Sequence, residues 1–370
     1  MIIHINENFQ LYNNKNDIKE IEIYNLEDIF NVPTKKRIIL IFEPYPFHYE
    51  CTPGFAKYFV DLGYNVDVLM HNFGKDSFCL FENNNKIRIF LYNSLEQIHF
   101  FAKSLIYYMK FYSLILVQTV TKQKKKIISS LGLLKNHKAI YVLHHTNVYG
   151  SMNFPDVEVK NRIWTLGHFN IGLQVNPHYF GTIKLREKNN ITRFFIVSTV
   201  KRNYKYIISA VKKIIDENLE FKIFVVGYKK GFSIDNNNKK LKDIFIFNYN
   251  VNFSTLYNII DSSDYIIINL DPDRDKAFKN EGLSGAAQLS YGFYKPALIN
   301  GYFKDNYNMT EENSFIFDKK NFYNIMKEAI LLNNKRYKNM QRNLIKLSNK
   351  IYNISLLNVK KTINSLLKSI

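Results

Sequence analysis

Short, nearly continuous apolar runs alternate along the chain with longer segments in which apolar residues recur every three or four positions. The short runs have the length and the Ile/Val/Phe content of buried strands, and the longer ones have the period of helices, so the alternation predicts parallel α/β layers. In the first half the strands are expected at residues 38–42, 66–70, 87–91, 114–118, 139–143 and 171–175, with helices between them. Residues 1–36 precede this series and are expected to add at most an edge strand or hairpin. A polar stretch, "NPHYFGTIKLREKNN", then interrupts the pattern, and it restarts with "RFFIVS", "FKIFVVG", "DIFIF" and "DYIIINL". The tail, residues 321–370, is helical by its Leu and Ile spacing.

Two consecutive series of this kind imply two similar doubly wound, Rossmann-like domains facing each other across a cleft. At 370 residues and 46% hydrophobic content the chain can bury two cores. The expected division is 1–178, including the extra segment 1–36, then 179–345, with 346–370 as a helix that packs back on the first domain.

Charge adds one constraint. The formal net charge is +19, which invites an anionic partner, but only 9 of the 51 cations are arginine. Phosphate and base recognition favours the guanidinium fork, so no nucleic-acid partner is expected. Cys51 and Cys79 are the only cysteines and follow no metal-ligand spacing, which fits a reducing compartment. No basic segment followed by a long apolar core opens the chain, and no apolar run reaches the roughly 18 residues of a membrane span. A soluble, cytoplasmic protein is the expectation.

In an open α/β sheet ligands bind beyond the carboxyl ends of the strands, so candidate chemistry is sought in the loops there. One such loop lies in "DPDRDKAFKNEGLSGAAQLSYGFYKPALIN", where a helix begins around Ser284 and Gly285. Free N–H groups and the helix dipole at that point favour an anion. A second anion feature is the pair Lys201 and Arg202, in the loop after "FFIVS". His144 and His145 close the strand at 139–143, and alternation along a strand sends one of them toward the cleft. Asp271, Asp273 and Asp275 read as a solvated turn rather than a metal site. Trp164, the single tryptophan, reads as core. The basic and aromatic stretches "FFAKSLIYYMKFYS" and "KQKKK" suit either a half-buried helix with a solvated turn or contact with an anionic membrane surface.

The segment "NEGLSGAAQLSYGFYKPALIN", preceded by "LYNIIDSSDYIII", resembles the donor-binding region of GT-B glycosyltransferases, in particular the large retaining, family 4-like group. "PGFAKYFVDLGYNVDVLM", "AIYVLHHTN" and "FKIFVVGY" resemble pieces of the same fold in the same order, and together the likeness covers most of residues 38–335. It implies a metal-independent transfer of a sugar from a nucleotide diphosphate donor to a hydroxyl on a glycan, lipid or protein-linked acceptor, with no cofactor and with retention of configuration. It further implies that Arg202, with Lys201 beside it, binds phosphate, that Ser284 and Gly285 lie under the diphosphate, that Gln288, next to the position where the family's ribose-holding Glu would fall, belongs to the donor site, and that Gly54 completes the cradle from the other domain. Glu281 would contact the sugar and His144 or His145 would lie near it, while Gly227, Tyr228 and Tyr249 would adjoin the nucleotide base. Two readings from other classes stand beside this one: a GT-B-like sugar-nucleotide epimerase, and a non-catalytic basic protein that binds membrane or nucleic acid.

Overall fold

The computed structural model describes residues 21–32, 35–45, 48–82, 85–152, 154, 161–198, 202–227, 234 and 238–368. Its N-terminal half is built on β1 (Glu22–Asn25), β2 (Ile38–Glu43), β3 (Asn65–His71), β4 (Ile87–Tyr92), β5 (Leu114–Val117), β6 (Ala139–Leu143), β7 (Ile163–Thr165) and β8 (Leu173–Gln174). All pair in parallel, in the order β1-β4-β3-β2-β5-β6-β7-β8. Helices α1 (Thr52–Asp61), α2 (Leu95–Phe100), α3 (Ala102–Met109) and α4 (Lys125–Ser130) connect them.

The alternation of side chains along β2 shows why these runs are apolar throughout. Ile39 and Ile41 enter one core with Phe55, Phe59 and Trp164, while Ile38, Leu40 and Phe42 enter the other with Leu105 and Ile128. Both faces are covered, so both sets of positions must be apolar.

The second half repeats the plan with β9 (Thr192–Ser198), α5 (Lys205–Asp216), β10 (Phe221–Gly227), α6 (Lys239–Ile244), β11 (Phe245–Tyr249), α7 (Phe253–Ser262) and β12 (Tyr265–Ile268). It continues through α8 (Ala277–Asn280), α9 (Gly285–Phe293), β13 (Ala297–Asn300) and β14 (Ser314–Phe317) to α10 (Phe322–Leu331) and α11 (Asn334–Lys368). The sheet is again parallel, ordered β11-β10-β9-β12-β13-β14. Phe194 and Ile196 face one core and Phe195 the other.

Three expectations need correction. Strand β7 was not anticipated, because "IWT" is too short to show a period. The strand expected at 171–175 is only Leu173–Gln174. The "D" and "I" that open "DIFIF" end helix α6, and the strand starts at Phe245.

Helix α11 spans both halves. Tyr337 and Met340 pack in the second half's core, whereas Val359, Ile363 and Leu366 pack against the first. Its polar residues also reach back: Trp164 Nε1 donates to Thr362 Oγ1 at 3.0 Å, Asn176 N donates to Ser355 Oγ at 3.0 Å, and Asn358 Nδ2 donates to the Gln174 carbonyl at 2.8 Å. Trp164 is fully buried in this contact. Among the described residues, no helix is long and apolar enough to cross a membrane.

Candidate active site

Strands β2, β5 and β6 are neighbours and end together, which brings Glu43, Gln118, Thr119, His144 and His145 to one edge. Glu43 is fully buried, and burial pushes its carboxyl up to about 8 against the lowering effect of its hydrogen bond from Thr119. Thr119 Oγ1 donates to Glu43 Oε2 at 2.5 Å and also lies 3.2 Å from His144 Nε2. The Tyr45 N–H donates to the other carboxyl oxygen at 2.7 Å. His144 is buried, and burial, with His48 and His145 adding to it, holds its pKa well below the ordinary histidine value.

The chain after β2 turns back over this edge. His48 stacks on His144, and its Nδ1 lies 3.7 Å from Glu50 Oε1. Burial lowers the His48 pKa, but the hydrogen bond and charge of Glu50 and the charge of Glu43 outweigh it, and the net shift is upward. A buried carboxyl, a hydroxyl, two stacked imidazoles and a second carboxylate thus run in contact from the sheet edge toward α9.

From the other half, α9 presents its N-terminus to the same place. Ser284 stands at the cap position with extended backbone, and its hydroxyl makes no capping bond, so the first-turn amides keep their affinity for an anion. Gly285 is exposed, and a side chain built there would come within 3.9 Å of Glu50 Oε1. The Ser284 N–H donates to Tyr307 Oη at 3.0 Å. Arg202 Nη1 lies 2.6 Å from Asp275 Oδ2, an ion pair in which that nitrogen makes no aligned hydrogen bond. The guanidinium sits 5.3 Å from the centre of the Phe278 ring. Tyr307 Oη in turn donates to the Phe278 carbonyl at 3.4 Å, so Phe278 and Tyr307 link Arg202 to the start of α9.

The two halves touch here through backbone. His145 and Gly282 form an antiparallel bridge, and the Thr146 N–H donates to the Glu281 carbonyl at 2.8 Å. A side chain at Gly282 would meet His145 Nδ1 at 2.5 Å, which only glycine avoids. Burial lowers the His145 pKa, His48 adds to this, and Glu281 opposes it.

His144, His145, Glu281, Ser284, Gly285 and Arg202 therefore lie where the two halves meet. Gly227 and Tyr249 are paired neighbours at the ends of β10 and β11, with Gly227 at φ 149°, a value suited to glycine. Lys201 and Tyr228 lie outside the described residues. Two expected donor-site positions are taken up by packing. The open face of Gly54 is filled by Pro177, whose carbonyl oxygen stands 2.4 Å from where a Cβ would be. Gln288 is buried, and its Oε1 accepts from Cys51 Sγ at 3.6 Å across the domain boundary. The aspartates of the acidic loop are engaged with cations: Lys319 Nζ is 2.8 Å from both Asp271 and Asp273, and Asp275 holds Arg202. Among the described residues no group of three or more His, Cys, Asp or Glu side chains is placed to hold a metal ion.

Sequence reasoning missed Glu43, His48, Glu50 and Thr119. A signal existed for the first: an acidic residue directly at the end of the apolar run "IILIF".

Solved structures of glycosyltransferases share this architecture. A glycosyltransferase from Rickettsia africae ESF-5 superposes with a TM-score of 0.53 at 14% identity, covering 91% of this chain and 100% of its own. Sucrose-phosphate synthase from Thermosynechococcus elongatus gives 0.54 at 10% identity, covering 90% and 100%. The chain has the GT-B fold. An α-glucosyltransferase solved with UDP and a 13-mer DNA gives 0.52 at 10% identity, covering 83% of this GT-B chain and 94% of its own. No family model matches the sequence, and no curated protein matches it.

Proposed function

We propose that this protein is a glycosyltransferase that moves a sugar from a nucleoside diphosphate donor to a hydroxyl acceptor. The observation that carries the reading is the start of α9. Its first turn is uncapped by the Ser284 hydroxyl, exposed at Gly285, and linked to Arg202 through Tyr307 and Phe278 at the place where the other half offers His48, Glu50 and His145. Amides and a guanidinium fixed before reaction stabilise charge that grows on a leaving diphosphate, which is the electrostatic part of such a transfer and requires no metal in this reading. The solved α-glucosyltransferase with UDP supports a nucleotide ligand in this fold.

In this reading the donor half is 179–345 and the acceptor half 1–178. The base lies against Gly227 and Tyr249, the sugar lies near Glu281 and His145, and the acceptor hydroxyl approaches from His48. His48 and Glu50 supply a general base that the sequence had not revealed, so retention of configuration rests on the resemblance alone. The anomeric configuration of the product decides it. The free thiols of Cys51 and Cys79 accord with a reducing compartment.

The test is to incubate the protein with UDP-, GDP-, ADP- and dTDP-sugars, with and without a mixed glycan and lipid-linked acceptor pool, and to measure the nucleoside diphosphate released. Acceptor-dependent release is expected from one donor. Conversion of a donor alone to an isomeric sugar nucleotide would instead make the protein an epimerase.

A further inference from the structure

A different surface of the N-terminal half carries an inference that does not depend on the sugar-transfer reading. From Gln97 to Pro155 the chain has eight lysines and no arginine, aspartate or glutamate. Within this stretch α3 turns Leu105 and Met109 into the core and leaves Lys103, Ile106, Tyr107 and Lys110 outward. Large apolar side chains stand exposed at both ends of that helix: Phe100 is 82% exposed, Tyr107 58% and Phe111 51%. The Tyr107 and Phe111 rings pack edge to face at 5.5 Å, and Lys110 Nζ lies 5.6 Å from the Tyr107 ring, so the aromatic and cationic groups form one patch. Helix α4, the "KKIISS" segment, includes exposed Lys126 and packs beside α2 on the same flank.

A soluble surface scatters its apolar residues singly and mixes its charges. Here the apolar groups are clustered, the charges on α3 and α4 are all positive, Glu96 at the start of α2 is the one carboxylate on the three helices, and the cations are compact ammonium groups on flexible stems. Aromatic rings and an isoleucine gain by entering the boundary between headgroups and acyl chains, and lysines gain from a negative surface potential. A duplex or single-stranded nucleic acid would reward arginine and offers no apolar phase for Ile106.

We propose that the α2–α3 face, through Phe100, Ile106, Tyr107 and Phe111 with Lys103 and Lys110, docks this protein on the surface of an anionic bilayer. The insertion is shallow, since α3 stays anchored to the core by Leu105 and Met109. Both terms act together: the cations bring the face to the membrane, and the aromatic groups hold it there.

Sedimentation of the full chain with phosphatidylcholine vesicles, with and without phosphatidylglycerol, tests this at low and high salt. Wild type is expected to pellet with the anionic vesicles only, with a roughly tenfold or greater loss of binding at high salt. The variant Phe100→Ser/Tyr107→Ser/Phe111→Ser and the variant Lys103→Glu/Lys110→Glu should each lose binding while melting at the wild-type temperature, because all five side chains are exposed. Absence of binding to anionic vesicles overturns the proposal, as does wild-type binding by the aromatic variant. A concentration-dependent dimer that the aromatic variant abolishes, with no vesicle binding, would assign the face to a second copy of this chain and would also overturn it.

Discussion

The imidazole of His48 lies over that of His144 with ring centroids 4.0 Å apart and 26° between the planes. Two imidazolium ions cannot share that spacing in a buried site. Burial, with His48 and His145, holds the His144 pKa down, while Glu50 chiefly outweighs burial at His48 and raises its pKa. A proton taken up by the pair therefore goes to His48 in preference to His144.

If His48 handles the acceptor proton, His48→Gln should lower kcat by about a hundredfold while leaving nucleotide affinity within roughly threefold, the pattern of a lost acid–base group rather than a lost binding contact. Titration calorimetry with the nucleotide and initial rates on the same preparation check this. An unchanged kcat would return His48 to a packing role.

Glu43 gives a stability signature with a defined sign. Its unfolded carboxyl ionises near 4.5 whereas the folded one keeps its proton until about 8, so the folded state binds more protons across that window. Its contribution to stability is thus complete at low pH and is lost as pH rises through 8. Glu43→Gln, which has nothing to ionise, should be at least about 1 kcal/mol more stable than wild type at pH 8, with the advantage gone near pH 5. Urea unfolding at the two pH values measures it.

Arg202 should matter more to ligand than to fold. Arg202→Ala removes a charge-assisted contact of about 1.5 to 3 kcal/mol, which is a ten- to roughly hundredfold loss in donor affinity. Because the change also leaves Asp275 unpaired and mostly buried, Arg202→Ala/Asp275→Asn should recover melting temperature without recovering affinity. Recovery of affinity in the double variant would remove Arg202 from the donor site.

The two-sheet plan was legible because both sheets are parallel and covered on both faces, which makes each strand a dense apolar run; β2 and β9 are examples. The helix start at Ser284 was legible for a similar reason, since small residues, glycine and a polar loop after a strand leave few alternatives. What stayed hidden depends on contacts distant in sequence. Gly54 looks like a cradle glycine until Pro177 closes on it. Gln288 looks like a ligand-facing residue of a first turn until Cys51 from the other half takes its carbonyl oxygen. The polar chain through Glu43, Thr119, His144 and His48 is assembled from three strand ends and one turn, and no local pattern joins them.

Helix α11 ties the halves together through a few buried hydrogen bonds, and these can be cut singly. Thr362→Val keeps the shape but leaves the Trp164 indole N–H buried without its acceptor, a cost of about 1 to 3 kcal/mol. The variant should melt at a lower temperature with unchanged nucleotide affinity, as read by calorimetry, since Trp164 packs on Phe55 and Phe59 in the core. A melting temperature equal to that of wild type would mean the indole finds another acceptor.

The most direct measurement is the thermal stability of the wild-type protein in the presence of UDP, GDP, ADP and dTDP. One nucleotide is expected to stabilise the fold by about 2.7 kcal/mol at a hundred times its dissociation constant, and Arg202→Ala should need at least tenfold more of it for the same shift. Failure of every nucleoside diphosphate and its sugars to move the transition at millimolar concentration would contradict a donor site at the start of α9.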